Sequence, residues 1–147
     1  MKLSTRATYG VRAMLALAQH QGAGPLMVKE IAEQQHLPAT YLEQLMVLLR
    51  KAGLVNATRG ARGGYVLSRP AAEMTLLDVI EALEGPLNLA ECPDGAGCCG
   101  KPESCALNDI WNDASQALKH AFQKITLANL VERQQSKAAD SVLMYTI

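Results

Sequence analysis

The fold class of this chain is predicted from residues 39–68, which read A-T-Y-L-E-Q-L-M-V-L-L-R-K-A-G-L-V-N-A-T-R-G-A-R-G-G-Y-V-L-S. Its first part places leucine and methionine at helical spacing as far as Gly53, a residue type that often ends helices. Its second part holds two short strand-like runs around the glycine-rich R-G-A-R-G-G at 59–64, which predicts a β-hairpin. A helix followed directly by such a hairpin predicts the recognition helix and wing of a winged helix.

Two further helices are predicted before this stretch. Residues 5–20 carry a broad apolar stripe, and residues 28–35 form a short amphipathic helix. His36-Leu37-Pro38 predicts a tight turn between that short helix and the helix at 39–52, which is the helix-turn-helix pattern. Residues 1–70 are therefore predicted to form a winged helix-turn-helix domain.

The second half of the chain is predicted to be helical on both sides of a loop. Thr75 is expected to cap a helix that ends near Glu84, and residues 107–125 predict about 28 Å of amphipathic helix. Residues 127–131 suggest a short closing helix, and residues 136–147 suggest an irregular tail. The expected fold class is mainly α with a small β-hairpin wing.

Residues 71–135 make up the second predicted unit, which holds the connecting helix, the loop and a long C-terminal dimerisation helix. A winged helix does not require this long helix, so its presence favours pairing with a second copy of the chain. Trp111 would then lie at or near the dimer interface, and the alternative places it in the core of a monomer. Two-fold symmetry presents two recognition helices to half-sites roughly 34 Å apart, or a multiple of that, which predicts a palindromic DNA site.

Charge is divided unevenly along the chain, although the formal net charge is zero. Residues 1–70 hold nine Lys or Arg against three Glu, for a net charge of +6, and residues 71–147 carry −6. A basic half suggests that this half faces a polyanion. No apolar run approaches the roughly 20 residues of a membrane span, and Arg6 and Arg12 interrupt the only stretch suited to a signal peptide. A cytoplasmic protein without membrane contact is expected.

DNA is the polyanion that the helix-turn-helix pattern predicts. A recognition helix reads base edges in the major groove, where Gln pairs with adenine, Glu accepts from cytosine and Thr contacts a thymine methyl. Arginines on a flexible wing suit the narrow minor groove. The candidate base-reading residues are Thr40, Tyr41, Glu43 and Gln44, the candidate phosphate contact is Arg50, and the candidate wing contacts are Arg59 and Arg62. The alternatives are an ordinary solvated helix face and a solubilising hairpin tip.

All four cysteines lie in the window E-C-P-D-G-A-G-C-C-G-K-P-E-S-C at 91–105. Its glycines and prolines predict a loop, and clustered cysteines in a reducing compartment more often bind metal or act in redox chemistry than form disulfides. Thiolates favour zinc, copper(I) or iron–sulfur clusters. The wide spacing lacks the short C-x2-C knuckle of structural zinc sites. The candidate metal ligands are Cys92, Cys98, Cys99 and Cys105.

Four segments together resemble the Rrf2 family of dimeric bacterial winged-helix transcription regulators. They are M-K-L-S-T-R-A-T-Y-G-V-R-A-M-L-A-L-A at 1–18, Y-L-E-Q-L at 41–45, L-R-K-A-G-L-V at 49–55 and R-G-A-R-G-G-Y at 59–65. The resemblance extends from residue 1 to about residue 133 and is strongest to the iron–sulfur cluster assembly regulators. It implies a homodimeric DNA-binding regulator and the same recognition residues, with Arg59 in the wing.

The resemblance also implies a cofactor. In the cluster assembly regulators three loop cysteines hold a 2Fe-2S cluster, which implies Cys92, one of Cys98 and Cys99, and Cys105 in this chain. The loop of this chain is one residue longer than the loop of those regulators, which leaves the choice between Cys98 and Cys99 open.

The fourth ligand is where this chain departs from that group. Asn108 stands where the group has a histidine, which leaves the extra cysteine, Asp109 or a residue of the partner subunit for this role. Nitric-oxide-sensing relatives hold a 4Fe-4S cluster with a carboxylate from the partner's first helix, and Thr8 stands at that position here. A 2Fe-2S cluster is therefore favoured over a 4Fe-4S cluster.

Three other functions are alternatives to a cluster-controlled regulator. The same fold could sense through thiol oxidation at Cys98 and Cys99, or through zinc. A thiol oxidoreductase would need a C-x-x-C motif near a βαβ unit, and the sequence has neither, so an enzyme is not expected. A DNA-packaging module would explain the basic half but not the cysteines.

Overall fold

The computed structural model describes residues 3–89 and 106–144. Within these ranges the chain forms six α-helices, one 3-10 turn and one two-stranded sheet. The helices are α1 (Thr5–Gln19), α2 (Val28–Gln35), α3 (Ala39–Lys51), α4 (Leu76–Glu84), α5 (Ala106–Gln123) and α6 (Leu127–Met144). The strands are β1 (Val55–Thr58) and β2 (Gly64–Leu67), and the 3-10 turn is Ala71–Glu73.

The helix-turn-helix consists of α2 and α3. At the end of α2, His36 adopts a left-handed conformation with φ of 52°, which reverses the chain. The Leu37 amide then donates to the carbonyl of Ala32 over 2.9 Å, and Pro38 leads into α3. These contacts satisfy carbonyl groups that the end of a helix leaves open, so the predicted turn at 36–38 is confirmed.

The wing is a hairpin of β1 and β2, paired antiparallel from Val55–Leu67 to Thr58–Gly64. It is fixed to the domain by two backbone hydrogen bonds between Leu26 and Tyr65, of 2.9 and 3.0 Å, just before α2. Gly64 has a φ of 153°, and a Cβ there would lie 2.5 Å from the Leu26 carbonyl oxygen. Only glycine lets the hairpin approach α2 this closely.

The core is built around α1, which packs against α2, α3, α4 and α6. Burial of large aliphatic side chains stabilises such a core by about 1.5–3 kcal/mol each. The largest fully buried side chains are Met14, Ile31, Leu42, Leu45, Met46, Leu49, Val55, Met74, Val79, Ile80 and Leu127. Aromatic residues are absent from this set, so the core of the described residues is aliphatic, as the composition predicts.

The second half of the chain is joined to the first through α4. Thr75 caps α4 by accepting from the Asp78 amide, and Asp78 accepts in return from the Thr75 amide. The Leu76 amide donates to the Ile125 carbonyl over 2.8 Å, and the Leu127 amide donates to the Met74 carbonyl over 2.9 Å. The turn between α5 and α6 is therefore held at the start of α4, and α5 packs on α4.

The C-terminal helix corrects one prediction. The sequence predicts a short helix at 127–131 and an irregular tail at 136–147, but α6 runs from Leu127 to Met144. Thr126 and Asn129 cap its start reciprocally, each amide donating to the other's side chain over 3.1 Å. Beyond Val131 the residues lack apolar periodicity, yet they are mostly strong helix formers without glycine or proline. Intrinsic propensity therefore continues a helix that periodicity alone does not reveal.

Candidate functional site

One face of α3 is turned to solvent along its N-terminal half. Leu42, Leu45, Met46 and Leu49 bury the opposite face, which fixes the rotation of the helix about its axis. As a result Thr40, Glu43 and Gln44 are exposed, as a recognition helix requires.

Val47 extends this face by one turn and is 38% exposed. An exposed valine at this spacing suits apolar contact with a thymine methyl group. Sequence analysis missed Val47 because it considered only polar side chains as candidates for reading bases. Its position seven residues after Thr40 is the signal that could have revealed it.

Tyr41 differs from its neighbours in the candidate set because it is half-buried. Its ring stands edge-on to that of Tyr9 of α1, with ring centroids 5.9 Å apart and an interplanar angle of 74°. An edge-to-face pair of this kind is favourable by about 0.5–1.5 kcal/mol beyond the area it buries. Tyr41 therefore links α3 to α1 and leaves only part of its side chain to face a ligand.

The wing tip brings Arg59 and Arg62 into solvent, both exposed, on the five residues between β1 and β2. The base of the hairpin is held by the Leu26–Tyr65 hydrogen bonds, so the tip projects from an anchored base. Arg50 and Lys51 lie exposed at the C-terminal end of α3, where cations also interact favourably with the helix dipole.

Three other basic residues of the first half have structural partners instead. The Arg6 guanidinium donates to the Leu83 carbonyl at 3.2 Å, and the Arg12 guanidinium donates to the Gln35 carbonyl at the end of α2. Arg69 lies 3.6 Å from Asp78, with both side chains partly exposed. The exposed basic residues of 3–70 for which the structure shows no such partner are Arg50 and Lys51 on α3, Arg59 and Arg62 on the wing, and Lys29 on α2.

All four candidate ligands, Cys92, Cys98, Cys99 and Cys105, lie outside the described residues. Within residues 3–89 and 106–144, no three His, Cys, Asp or Glu side chains are grouped to hold a metal ion. Asp109, a candidate fourth ligand, is exposed in the first turn of α5, and Asn108, which stands where the related group has a histidine, is half-buried beside it.

Both flanks of the cysteine segment, residues 90–105, rest on α5. Before the segment, the Leu89 amide donates to the Ser115 hydroxyl over 2.9 Å, and Lys119 donates to the Asn88 side chain over 3.4 Å. After it, Ala106 begins α5. The two points of attachment on α5, Ala106 and Ser115, are therefore about 13.5 Å apart along the helix axis, at a rise of 1.5 Å per residue.

Ser115 is the buried polar side chain that makes this junction, with only 4% exposed. Its hydroxyl accepts from the Leu89 amide and donates to the Trp111 carbonyl over 2.7 Å. Sequence analysis missed it as well. A serine four residues after Trp111, beside an apolar stripe, is the only local signal of its role.

The N-terminal part of α5 exposes large apolar side chains. Leu107 is 60% exposed, Ile110 56% and Trp111 45%. Their spacing of three and four residues puts them on one face of the helix. Trp111 is therefore not a core residue of the single chain.

Within the described residues, no helix is long and apolar enough to cross a membrane.

A family model matches most of the chain. The model for Rrf2, described as an iron-dependent transcriptional regulator, matches residues 3–133. The protein rrf2 of Nitratidesulfovibrio vulgaris is 39% identical over 131 residues, which cover 89% of this chain and 87% of that protein.

Solved structures share both the fold and much of the sequence. CymR, the global cysteine regulator of B. subtilis, has a TM-score of 0.77 and 38% identity, over 90% of this chain and 98% of that one. The IscR structure of T. potens has a TM-score of 0.74 and 39% identity, over 91% of this chain and 88% of that one. The predicted winged-helix fold is confirmed, and these relatives are regulators rather than enzymes.

Proposed function

The chain belongs to the Rrf2 family of transcriptional regulators, and from this premise we propose that it is a homodimeric, sequence-specific DNA-binding regulator controlled by an iron–sulfur cluster in its cysteine segment. Such a regulator acts on chromosomal DNA, which is why we assign it to the cytoplasm. DNA binding and its control are argued separately below.

The observation that carries DNA binding is the exposed face of α3 beside the anchored wing. Thr40, Glu43 and Gln44 offer a hydroxyl, a carboxylate and an amide for base edges in the major groove. Arg59 and Arg62 at the wing tip reach outward from a base fixed by backbone hydrogen bonds. Polar groups on α3 would supply sequence preference, and the arginines would supply affinity that depends on salt.

Dimerisation is supported by the apolar face of α5. Leu107, Ile110 and Trp111 together leave a large apolar surface in water, which a second copy of the same helix would cover. A two-fold dimer of this kind would bind a palindromic double-stranded site.

Cluster binding is supported by the chemistry of the donors. Four cysteines within residues 92–105 provide the thiolate set that iron–sulfur clusters use. Cys92, Cys105 and one of Cys98 and Cys99 would be three ligands, and Asp109, the remaining cysteine or a residue of the partner subunit would be the fourth. A bound 2Fe-2S cluster, favoured over 4Fe-4S, would supply a centre that responds to iron and redox conditions.

A second mode of control is supported by the comparison with CymR. That protein of the same fold is described as a global cysteine regulator, which favours a sensor other than iron as the second candidate for this chain. In this alternative Cys98 and Cys99 respond by thiol oxidation, or the segment holds zinc. The DNA-binding surface is the same in both cases.

The experiment that tests DNA binding is selection of a site from random double-stranded DNA, followed by affinity measurements over a range of salt concentration. We expect Arg59→Ala and Arg62→Ala each to weaken binding and to lower the log–log salt slope by about 1. Arg133→Ala and Lys137→Ala, exposed on α6, are the matched controls and should leave the slope unchanged. Equal affinity for a scrambled site, or equal loss in the controls, would contradict the proposal.

A further inference from the structure

The N-terminus of α1 is attached to the C-terminus of α4 by the Glu84 carboxylate. The Ser4 amide donates to Glu84 Oε1 over 3.0 Å, and the Ser4 hydroxyl donates to the same oxygen. Beside them, Arg6 donates to the Leu83 carbonyl over 3.2 Å. These residues are about 80 positions apart in sequence, and together they clasp the ends of two helices.

Helix dipoles explain why the carboxylate takes this position. A negative charge in the last turn of α4 is unfavourable there, because the C-terminal end of a helix carries partial negative charge. The same charge is favourable at the N-terminal end of α1, where Ser4 is the N-cap. Glu84 therefore gains by reaching across to α1.

Packing contacts of α1 connect the clasp to the recognition helix α3. Gly10 of α1 lies against Leu83 so closely that a Cβ would overlap the leucine side chain, so α1 and α4 are in close contact at this crossing. One residue earlier, Tyr9 packs edge-on against Tyr41 of α3. A shift of α4 would thus be passed through α1 to the first turn of α3.

The clasp is also close to the cysteine segment. Glu84 is followed by Gly85, and the Leu87 amide donates to the Glu81 side chain over 3.1 Å. Leu89 is then held by Ser115 of α5. Residues 85–89 therefore form a short segment, held by hydrogen bonds at Leu87 and Leu89, between the clasp and the cysteine segment.

We propose that Glu84 is a positioning residue that couples the state of the cysteine segment to the orientation of α3, through Ser4 and α1. This inference rests on the proposed function, since it requires that the cysteine segment controls DNA binding. Glu84 itself contacts neither DNA nor the cysteines in this scheme. It makes α1 and α4 respond as one body.

The test compares the DNA affinity of anaerobically purified, iron-containing protein with that of the same protein after iron removal by a chelator. Wild type is expected to show an affinity ratio within the usual allosteric range of about 5- to 150-fold. Glu84→Ala should bring this ratio close to one. Glu84→Gln keeps an oxygen that accepts from Ser4 and should retain most of the ratio, and Glu73→Ala, exposed on the 3-10 turn, should retain all of it.

A second readout does not involve DNA. Amide hydrogen exchange in the first turn of α1 should differ between the iron-containing and iron-free wild type, and should be the same in both preparations of Glu84→Ala. If Glu84→Ala does not fold, Ser4→Gly removes the hydroxyl from the same contact at a position where glycine is tolerated, and it should also lower the ratio.

The outcomes separate the two levels of the proposal. A wild-type ratio of one overturns cluster control and this inference with it. A wild-type ratio that persists in Glu84→Ala, with α1 still responding in hydrogen exchange, overturns the role of Glu84 and leaves cluster control intact.

Discussion

At the scale of the residue, one buried hydroxyl holds the chain just before the cysteine segment. The Ser115 hydroxyl is buried and engaged on both sides, by the Leu89 amide and the Trp111 carbonyl. Without it, the Leu89 amide would be partly buried with no acceptor. Ser115 therefore stabilises α5 and holds the flank of the cysteine segment at the same time.

Ser115→Ala is expected to lower the free energy of unfolding by about 1 kcal/mol or more, because it leaves the partly buried Leu89 amide without its acceptor. Denaturant unfolding followed by circular dichroism measures this change. Ser136→Ala is the matched control, because Ser136 also donates to the carbonyl four residues earlier but is exposed. Its effect should stay within about 0.5 kcal/mol. Equal losses in the two variants would contradict the role assigned to Ser115.

The helical pattern of the sequence accounts for which single residues of α3 are exposed, and it does not reveal contacts between distant helices. Thr40, Glu43 and Gln44 are exposed because the helical period that buries the leucines of α3 turns them outward. Tyr41 is half-buried, because its ring packs on Tyr9 of another helix. Long-range contacts of this kind leave no local pattern, and the same is true of Ser4 and Glu84.

At the scale of the element, the helices and the hairpin follow from local patterns. Periodicity, the capping pair Thr75–Asp78 and the glycines at 59–64 predict α1 to α5 and the wing within a few residues. The exception is α6, whose second half depends on propensity alone. What the sequence does not predict is how close the elements come, as at the crossing of α1 and α4.

Gly10→Ala tests that crossing. The added methyl overlaps the Leu83 side chain, and overpacking of this kind typically costs about 1–3 kcal/mol. We expect a corresponding fall in the free energy of unfolding, measured by chemical denaturation. Leu83→Ala in the same chain provides room for the methyl, so the two changes should be less damaging together than the sum of their separate effects. Strict additivity would show that the two residues do not interact.

At the scale of the whole molecule, a large apolar surface is exposed to solvent on one face of α5. The described residues bury an aliphatic core around α1 but leave Leu107, Ile110 and Trp111 largely in water. Composition and periodicity predict this helix, and its partner is a proposal. In sequence the cysteine segment lies between α4, which packs on α1, and α5, the helix of the proposed dimer interface.

Ile110→Glu is expected to convert the proposed dimer to a monomer, because it puts a charge on the apolar face of α5. Sedimentation equilibrium over a range of protein concentration measures the change. Gln116→Glu adds a charge to an exposed position on the other side of α5 and should leave the dimer intact. Monomeric wild-type protein, or an Ile110→Glu dimer as stable as that of wild type, would contradict the proposed interface.

A visible absorption spectrum of anaerobically purified protein, with iron and acid-labile sulfide assayed on the same sample, tests whether the chain holds the cluster on which the proposed control depends. The predicted result is a coloured protein with equal amounts of iron and sulfide, two of each per chain, as a 2Fe-2S cluster requires. Cys92→Ala with Cys105→Ala should remove the colour and both elements while the protein stays folded. A colourless, iron-free wild-type protein that does not take up iron and sulfide on reconstitution would contradict cluster control and favour a thiol switch or zinc.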